Sequence, residues 1–302
     1  MRKLWVGIGK DDEMLVIDKG EELFTIVGGH PAHLSEIDRF LTWHECKELV
    51  ESPIASGAFY PRMWRGKPTP MPRSLSPQHV AEWVANVRAN RMLFSRLETL
   101  FAAIEPNQEQ DNTYGLLQRE ILILACTLVE SAWRSVLEAN HASPQSGKPN
   151  RWSTNDYVRL LTPMRLAEWR VSLSAHHDYR DPKPFRSWDP AEPTKSLPWY
   201  DAYNAVKHGW ESALRQATFG AAVDAAAAAF IMSVAQFGPG HLTALPGSAD
   251  QYFHPDVFSV ESWPKWLPTE RYIEPSQKGI DRGTWIGHER WEPTFCPELD
   301  DS

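Results

Sequence analysis

Asn204, Lys207 and His208 are the residues whose types and spacing are best suited to chemistry, all within WYDAYNAVKHGWESALRQ, residues 199–216. At about 100° per residue, this stretch separates into two helical faces. Trp199, Ala202, Tyr203, Val206, Trp210, Ala213 and Leu214 take one side, and Tyr200, Asn204, Lys207, His208, Glu211 and Arg215 take the other. Asn204 and His208 lie one turn apart with Lys207 beside them. An imidazole gives and takes protons near neutral pH, an ammonium stabilises negative charge developing on a phosphorus centre, and an amide orients either one. That trio fits work on a phosphodiester, and equally it fits a solvated helix face. Within the same reading His208, Asn204 and Lys207 are the catalytic set. Arg215, Tyr200, Arg119 and Glu130 are the substrate-binding set. Arg119 and Glu130 share one face of a long apolar helix, where an uncompensated charge is costly, so structural ion pairing competes with that role.

Other constellations carry less. His30 and His33 form an HxxH pair around Pro31, but lack the helical HExxH setting of a metalloprotease. His176, His177 and Asp178 are adjacent, and neighbouring side chains diverge, so a surface loop is expected and no metal or other cofactor is assigned. Gly7, Ile8, Gly9 and Lys10 lack the third glycine and following helix of a phosphate loop and are expected to form a turn.

The elements that must position Asn204 and His208 follow from periodicity. Residues 1–29 alternate LWVGI, MLVI and LFTIV with polar turns, the pattern of short strands in a small sheet. A short helix is expected within 35–51, then a Pro- and Gly-rich linker carrying Arg62, Arg65, Lys67 and Arg73. Ser76 and Pro77 open a helix to about Glu105, with Val80, Val84, Val87, Phe94, Leu97, Phe101 and Ile104 as its stripe. A second runs from about Asn112 to Asn140, apolar nearly all round over Ile121 to Val129, and is expected to be central. Asp156 falls in the first turn of a short helix, Met164 to Leu173 are expected to be helical, and DPKPFRSWDPAEPTKSLP is a long excursion. Thr218 caps an Ala-rich helix that stops at Gly238 and Pro239. Beyond Gly240 the segments YFHPDVFSV, RYIEP and GTWIGHERW read as short strands or an extended arm that completes the N-terminal sheet. Tryptophans such as Trp188, Trp263, Trp266, Trp285 and Trp291 anchor irregular chain.

Composition bounds the setting. With 302 residues, 42% hydrophobic and 23% charged, the chain has the make-up of a soluble globular protein. A formal charge of −8 argues against coating nucleic acid nonspecifically, while leaving room for a local basic cleft. Cys46, Cys126 and Cys296 form no CxxC pair, and the apolar run Leu4 to Ile8 is too short for a signal-peptide core, so a reduced cytoplasmic location is expected. Phe219 to Phe237 carries Asp224 and Gln236 and reads as a buried core helix, so no membrane partner is expected.

The order of long helix, long apolar helix with Arg119 and Glu130, Pro-rich excursion, helix with NAVKH and Ala-rich helix resembles the HEPN superfamily over about residues 76 to 238. That resemblance implies a mainly α fold: an antiparallel four- to five-helix bundle with small β or extended terminal segments. The corresponding domains are a β-rich segment and linker over 1–74, the bundle over 75–239 and an arm over 240–302 that packs back on the core. Members with the full motif are metal-independent ribonucleases acting mostly as dimers with motifs facing a shared cleft. The resemblance therefore implies an RNA endonuclease of toxin or antiviral-defence type, a homodimer, RNA as partner and an antitoxin or defence-system protein as a second partner. In the family's pattern an Arg precedes the His by four to six residues with a polar residue just after it. Here His208 matches the His and Asn204 the polar residue, while Asp201, Ala202 and Tyr203 occupy the places of the Arg. A noncatalytic helical module that binds a partner or nucleotide through the same face is the competing expectation.

Overall fold

Local sequence pattern carries most of the element boundaries. A computed structural model describes residues 4–9, 14–18, 23–26, 32–43, 45–46, 49–55, 57–66, 77–209, 213–238, 257–272 and 292–299. In chain order the elements are β1 (Leu4–Ile8), β2 (Met14–Asp18), β3 (Leu23–Ile26), β4 (Ala32–His33), α1 (Ile37–Trp43), β5 (Val50–Ser52), β6 (Ala58–Phe59), α2 (Pro77–Ala103), α3 (Leu116–Ala139), α4 (Thr154–Tyr157), β7 (Arg170–Leu173), α5 (Pro198–His208), α6 (Phe219–Phe237), β8 (Phe258–Ser262) and β9 (Glu292–Pro293). The fold is mainly α with short strands. It divides into two compact units.

The first unit comprises Met1–Tyr60, Arg65–Lys67 and Lys265–Thr294. Its strands form an antiparallel sheet in the order β4-β3-β2-β1-β5. Val6 and Val16 are buried opposite one another, as alternation of a one-sided sheet requires. Among the described residues no C-terminal segment extends this sheet, and GTWIGHERW lies outside them. β9 pairs in parallel with β6 in a separate ladder, and the 3-10 turn Pro268–Glu270 packs against β1 and β5. The buried Arg65 guanidinium lies 4.6 Å from the Tyr60 ring centroid and 5.0 Å from that of Trp266, so the expected Trp266 anchor serves as a cation–π partner. Ser76, His30, Lys67, Arg73, Trp285 and Trp291 lie outside the described residues.

The second unit comprises Pro61–Trp64, Pro68–Pro264 and Phe295–Ser302. α3 and α6 form its centre, with α2 and α5 packed against both. On α3, Ile121, Leu122, Ala125, Cys126 and Val129 are all fully buried, as its all-round apolar stretch predicts. α6 is long and apolar enough to cross a membrane, but it is enclosed within this unit by its neighbours. Thr218 accepts from the Ala221 amide at its start. Gly238 ends it at φ +89°, and a Cβ there would stand 2.9 Å from the Trp64 indole, so both backbone and space call for glycine. Asp156 closes a capping box with Ser153 at the start of α4.

Two expectations in this unit are corrected. The stretch Met164 to Leu173 is not a helix: a 3-10 turn over Leu166–Glu168 gives way to β7, whose Val171 and Leu173 are buried and whose partner is β8. Period-2 burial against a strand about 90 residues away in sequence overrides the local pattern there. β8 therefore belongs with the helical unit, and so does the chain end, where Cys296 and Leu299 are buried and Arg159 donates to the Leu299 carbonyl. The helix carrying NAVKH is also shorter than its periodicity predicts. α5 stops at His208, with Gly209 extended at φ −128° and ψ 95°. Glycine is the weakest helix former after proline, and it stands where the helix ends.

Candidate functional site

α5 is anchored near its start and open at its end. Pro198 occupies the first helical position, where its missing N–H is no loss. Trp199 is buried and donates its indole N–H to the Pro184 carbonyl at 2.9 Å. Around Trp133 of α3 gather Tyr157 and the stacked Trp188, each with its ring centroid 5.0 Å away, together with Tyr200 at 5.5 Å and Trp199 at 6.2 Å. The Pro-rich excursion thus delivers Trp188 into the core, an anchor as expected. Such offset and tilted aromatic contacts each add about 0.5–1.5 kcal/mol beyond burial.

Two hydrogen bonds then fix α5 against α3. The Tyr200 hydroxyl donates to the Glu130 carboxylate at 2.6 Å. At the other end Arg119 donates to the Val206 carbonyl at 3.2 Å, answering one of the carbonyls that a helix C-terminus leaves without an intrahelical partner. Tyr200, placed by periodicity on the polar face, is only 5% exposed and belongs to the core. Its phenol supplies the half-buried Glu130 with the partner that burial demands, so Tyr200, Glu130 and Arg119 are interlocks between helices and not an open ligand face. Burial raises the Tyr200 pKa, and the Glu130 carboxylate that accepts its hydrogen bond raises it further. Cys126, fully buried one turn before Glu130, has its thiol pushed up by burial as well.

The line Tyr200, Asn204, His208 climbs from core to solvent: the first is buried, the second half-buried and the third exposed. The parallel line Tyr203, Lys207 does the same. Tyr203 is buried, and the exposed Lys207 ammonium sits 5.0 Å from its ring centroid. Hydrogen bonding to the Tyr203 side chain raises the Lys207 pKa, with the Glu130 charge acting in the same direction and burial against it. Neither the Asn204 amide nor the His208 ring has a hydrogen-bond partner among the described residues. The last turn of α5 therefore brings Asn204, Lys207 and His208 together at an accessible corner. Arg215 is not on this helix: it stands in a separate 3-10 turn, Leu214–Gln216, with its guanidinium 6.0 Å from the centroid of the Tyr114 ring. Trp210 and Glu211 lie outside the described residues.

Among the described residues the remaining histidines do not come together as a metal site. Among the described residues no group of three His, Cys, Asp or Glu side chains is arranged to hold an ion. His176 Nδ1 contacts the Glu105 carboxylate at 2.9 Å and its ring meets Phe101 edge-on at 5.3 Å, beside a cleft of about 310 Å³ that also takes in Glu98 and Val257. His177 and Asp178 are exposed in the turn that follows, as the sequence predicts.

One polar cluster escapes the sequence reading. Arg180 makes a bidentate contact with Asp224 of α6 at 2.8 and 3.0 Å and a third to Asp111 at 3.0 Å, while the Tyr179 hydroxyl donates to Asp111 at 2.6 Å. The single acid in an otherwise apolar α6 was the available signal, since a charge there requires a partner. All partners of Arg180 are satisfied and the cluster reads as a clamp between the 3-10 turn Gln108–Asn112, the turn before Arg180 and α6. No protein-family model matches the chain, and no curated protein or solved structure is significantly similar to it.

Proposed function

We propose that the helical unit is a HEPN-like bundle and that the corner at the end of α5 acts on RNA, as a metal-independent endoribonuclease of toxin or antiviral-effector type working as a homodimer. The observation that carries this reading is the contrast within α5. Its backbone is fixed by Trp199 and Tyr200 contacts at the start and by the Arg119 bond to Val206 near the end, while the Asn204 and His208 side chains have no hydrogen-bond partner among the described residues. Catalysis favours donors held rigidly and left open to the substrate.

RNA carries its own nucleophile. His208 takes the proton of a 2′-hydroxyl, O2′ attacks the adjacent phosphorus, and the 5′-oxygen leaves with a proton from imidazolium. The products are a 2′,3′-cyclic phosphate and a 5′-hydroxyl. In a homodimer two copies of His208 divide the two proton transfers. Lys207 stabilises charge on the phosphorane and Asn204 orients a phosphate oxygen or the imidazole. The test is incubation of purified protein with mixed RNA in excess EDTA. Cleavage to cyclic-phosphate ends is expected, with His208→Ala slower by about 10²- to 10⁴-fold. Intact RNA overturns the reading.

A specific observation favours a second reading, a noncatalytic HEPN-like module binding a protein partner or nucleotide. Where the family's pattern has its Arg stand Asp201, Ala202 and Tyr203, and Tyr203 is buried beneath Lys207. In that case RNA stays intact, and Asn204→Ala or His208→Ala lowers the oligomeric mass or the retention of a bound nucleotide.

A further inference from the structure

Arg119 links the last turn of α5 to the start of α3, where Tyr114 is 47% exposed and Leu116 67% exposed. An exposed aromatic ring is usually supported by a mobile backbone, but this one is not. Tyr114 forms an antiparallel backbone bridge with Thr218, and the Phe219 amide donates to the Thr113 carbonyl at 2.7 Å. The Thr113 hydroxyl in turn donates to the Gln110 carbonyl at 2.6 Å. The ring is thus presented to solvent on chain tied to both the preceding 3-10 turn and the start of α6.

The Arg215 guanidinium lies 6.0 Å from the centroid of the Tyr114 ring. Arg119, on the second turn of α3, reaches the Val206 carbonyl and so joins this end of α3 to the turn that carries Lys207 and His208. Glu120, the acid beside Arg119 in sequence, is paired with Arg96 at 3.1 Å. In a chain of formal charge −8, the exposed Tyr114 ring has the Arg215 guanidinium beside it, and Arg119 ties the same end of α3 to the turn that carries Lys207 and His208. Cationic side chains alone describe a phosphate-binding surface. A rigidly mounted tyrosine adds the flat apolar face on which a base stacks, and an arginine over an aromatic ring extends that platform.

We propose that Tyr114, backed by Arg215, is a stacking seat for an unpaired nucleobase of single-stranded RNA, next to the His208 corner. The inference rests on the reading of that corner as RNA-directed and adds the part of the substrate that is recognised: a base with no Watson–Crick partner. Duplex RNA keeps its bases stacked on one another and offers none to the ring. Leu116 beside it supplies further apolar contact without hydrogen-bond selectivity, so the seat accepts any of the four bases.

The test uses the full chain and a fluorescein-labelled 2′-O-methyl RNA 12-mer, which cannot be cleaved because it lacks free 2′-hydroxyls. Fluorescence anisotropy is expected to show binding by the unsubstituted protein, weakened about 5- to 150-fold by Tyr114→Ala, the range observed for loss of one stacked base. Tyr114→Phe keeps the ring and retains affinity, whereas Arg215→Ala weakens binding of the same oligomer. An abasic 12-mer of equal charge binds the unsubstituted protein and Tyr114→Ala alike, which separates stacking from phosphate attraction. If the unsubstituted protein binds no RNA, both this inference and the reading it rests on fall. If it binds and Tyr114→Ala binds equally well, the stacking seat alone is overturned. Loss of self-association in Tyr114→Ala and Leu116→Ala by sedimentation, with RNA affinity unchanged, assigns the corner to a second copy of the chain and also overturns it.

Discussion

Replacing Tyr200 with phenylalanine removes one oxygen atom and leaves the aromatic packing around Trp133 in place. What is lost is the 2.6 Å hydrogen bond to the Glu130 carboxylate. A hydrogen bond to a charged acceptor contributes about 1.5–3 kcal/mol, so near neutral pH Tyr200→Phe is expected to destabilise the helical unit by about 2 kcal/mol. The gap must then change with pH in a fixed direction. Burial, and next the Glu130 carboxylate, raise the Tyr200 pKa in the folded chain above the value of about 10 that an unfolded tyrosine has. Above about pH 10 the unfolded chain releases a proton that the folded chain keeps, so the Tyr200 contribution is present below that pH and is lost as pH rises, by about 1.4 kcal/mol per unit. Phenylalanine has nothing to release. The advantage of tyrosine accordingly shrinks from about 2 to about 0.6 kcal/mol near pH 11 and reverses near pH 12, while the titrations of Tyr157 and Tyr179 cancel in the difference. Urea unfolding followed by tryptophan fluorescence measures both. A neutral-pH gap under about 0.5 kcal/mol, or one that does not narrow with rising pH, refutes the assignment of Tyr200 as the interlock between α5 and α3.

Two further substitutions probe the frame. Arg119→Met removes the donor to the Val206 carbonyl while keeping a long apolar stem, and hydrogen exchange of the Gly209 amide is expected to accelerate by about tenfold or more as the last turn of α5 frays, for a loss of about 1.5 kcal/mol. Arg180→Met leaves Asp111 and Asp224 facing one another without their shared cation. Because the three side chains are 29, 27 and 25% exposed, the loss by chemical denaturation is expected to be about 2–3 kcal/mol, below the ~3–5 kcal/mol of a fully buried pair, and Asp224→Asn in the same chain should recover part of it.

Much of the helical unit is legible in the sequence because local signals and tertiary demands agree there. α3 is apolar nearly all round over Ile121 to Val129 and is central; α6 begins at a Thr that caps it and ends at a Gly that the backbone and Trp64 both require. Apart from the local break at Gly209, the failures share one cause, which is that a distant partner decides. β7 is a strand because β8 lies beside it, and nothing in Met164 to Leu173 announces a pairing with residues 258–262. Arg215 leaves the α5 face because Gly209 breaks the helix that periodicity alone carries through to Gln216. Tyr200 is amphipathic and fits either face of a helical wheel; only the presence of Glu130 on the facing helix places it inside. The Arg180 cluster was invisible for the same reason, since Asp111, Asp224 and Arg180 lie far apart along the chain.

The candidate site follows from how α5 is held. A helix of eleven residues is too short to be stable in water without tertiary support, so its order derives from what it touches. Those contacts are concentrated on Trp199, Tyr200, Tyr203 and Val206, all of them buried, and the Tyr200 and Arg119 bonds lie about one and a half turns apart along it. Between and beyond them the helix is fixed in rotation as well as in position, and this determines which side chains emerge. Asn204 and His208 share the line of Tyr200 and emerge because the helix carries that line from the core, where Glu130 holds Tyr200, out to solvent at its end. Release of Tyr200, as in Tyr200→Ala, is expected to loosen that line and displace the His208 ring, a change that the imidazole NMR resonances of the variant report; unchanged His208 resonances would refute the coupling.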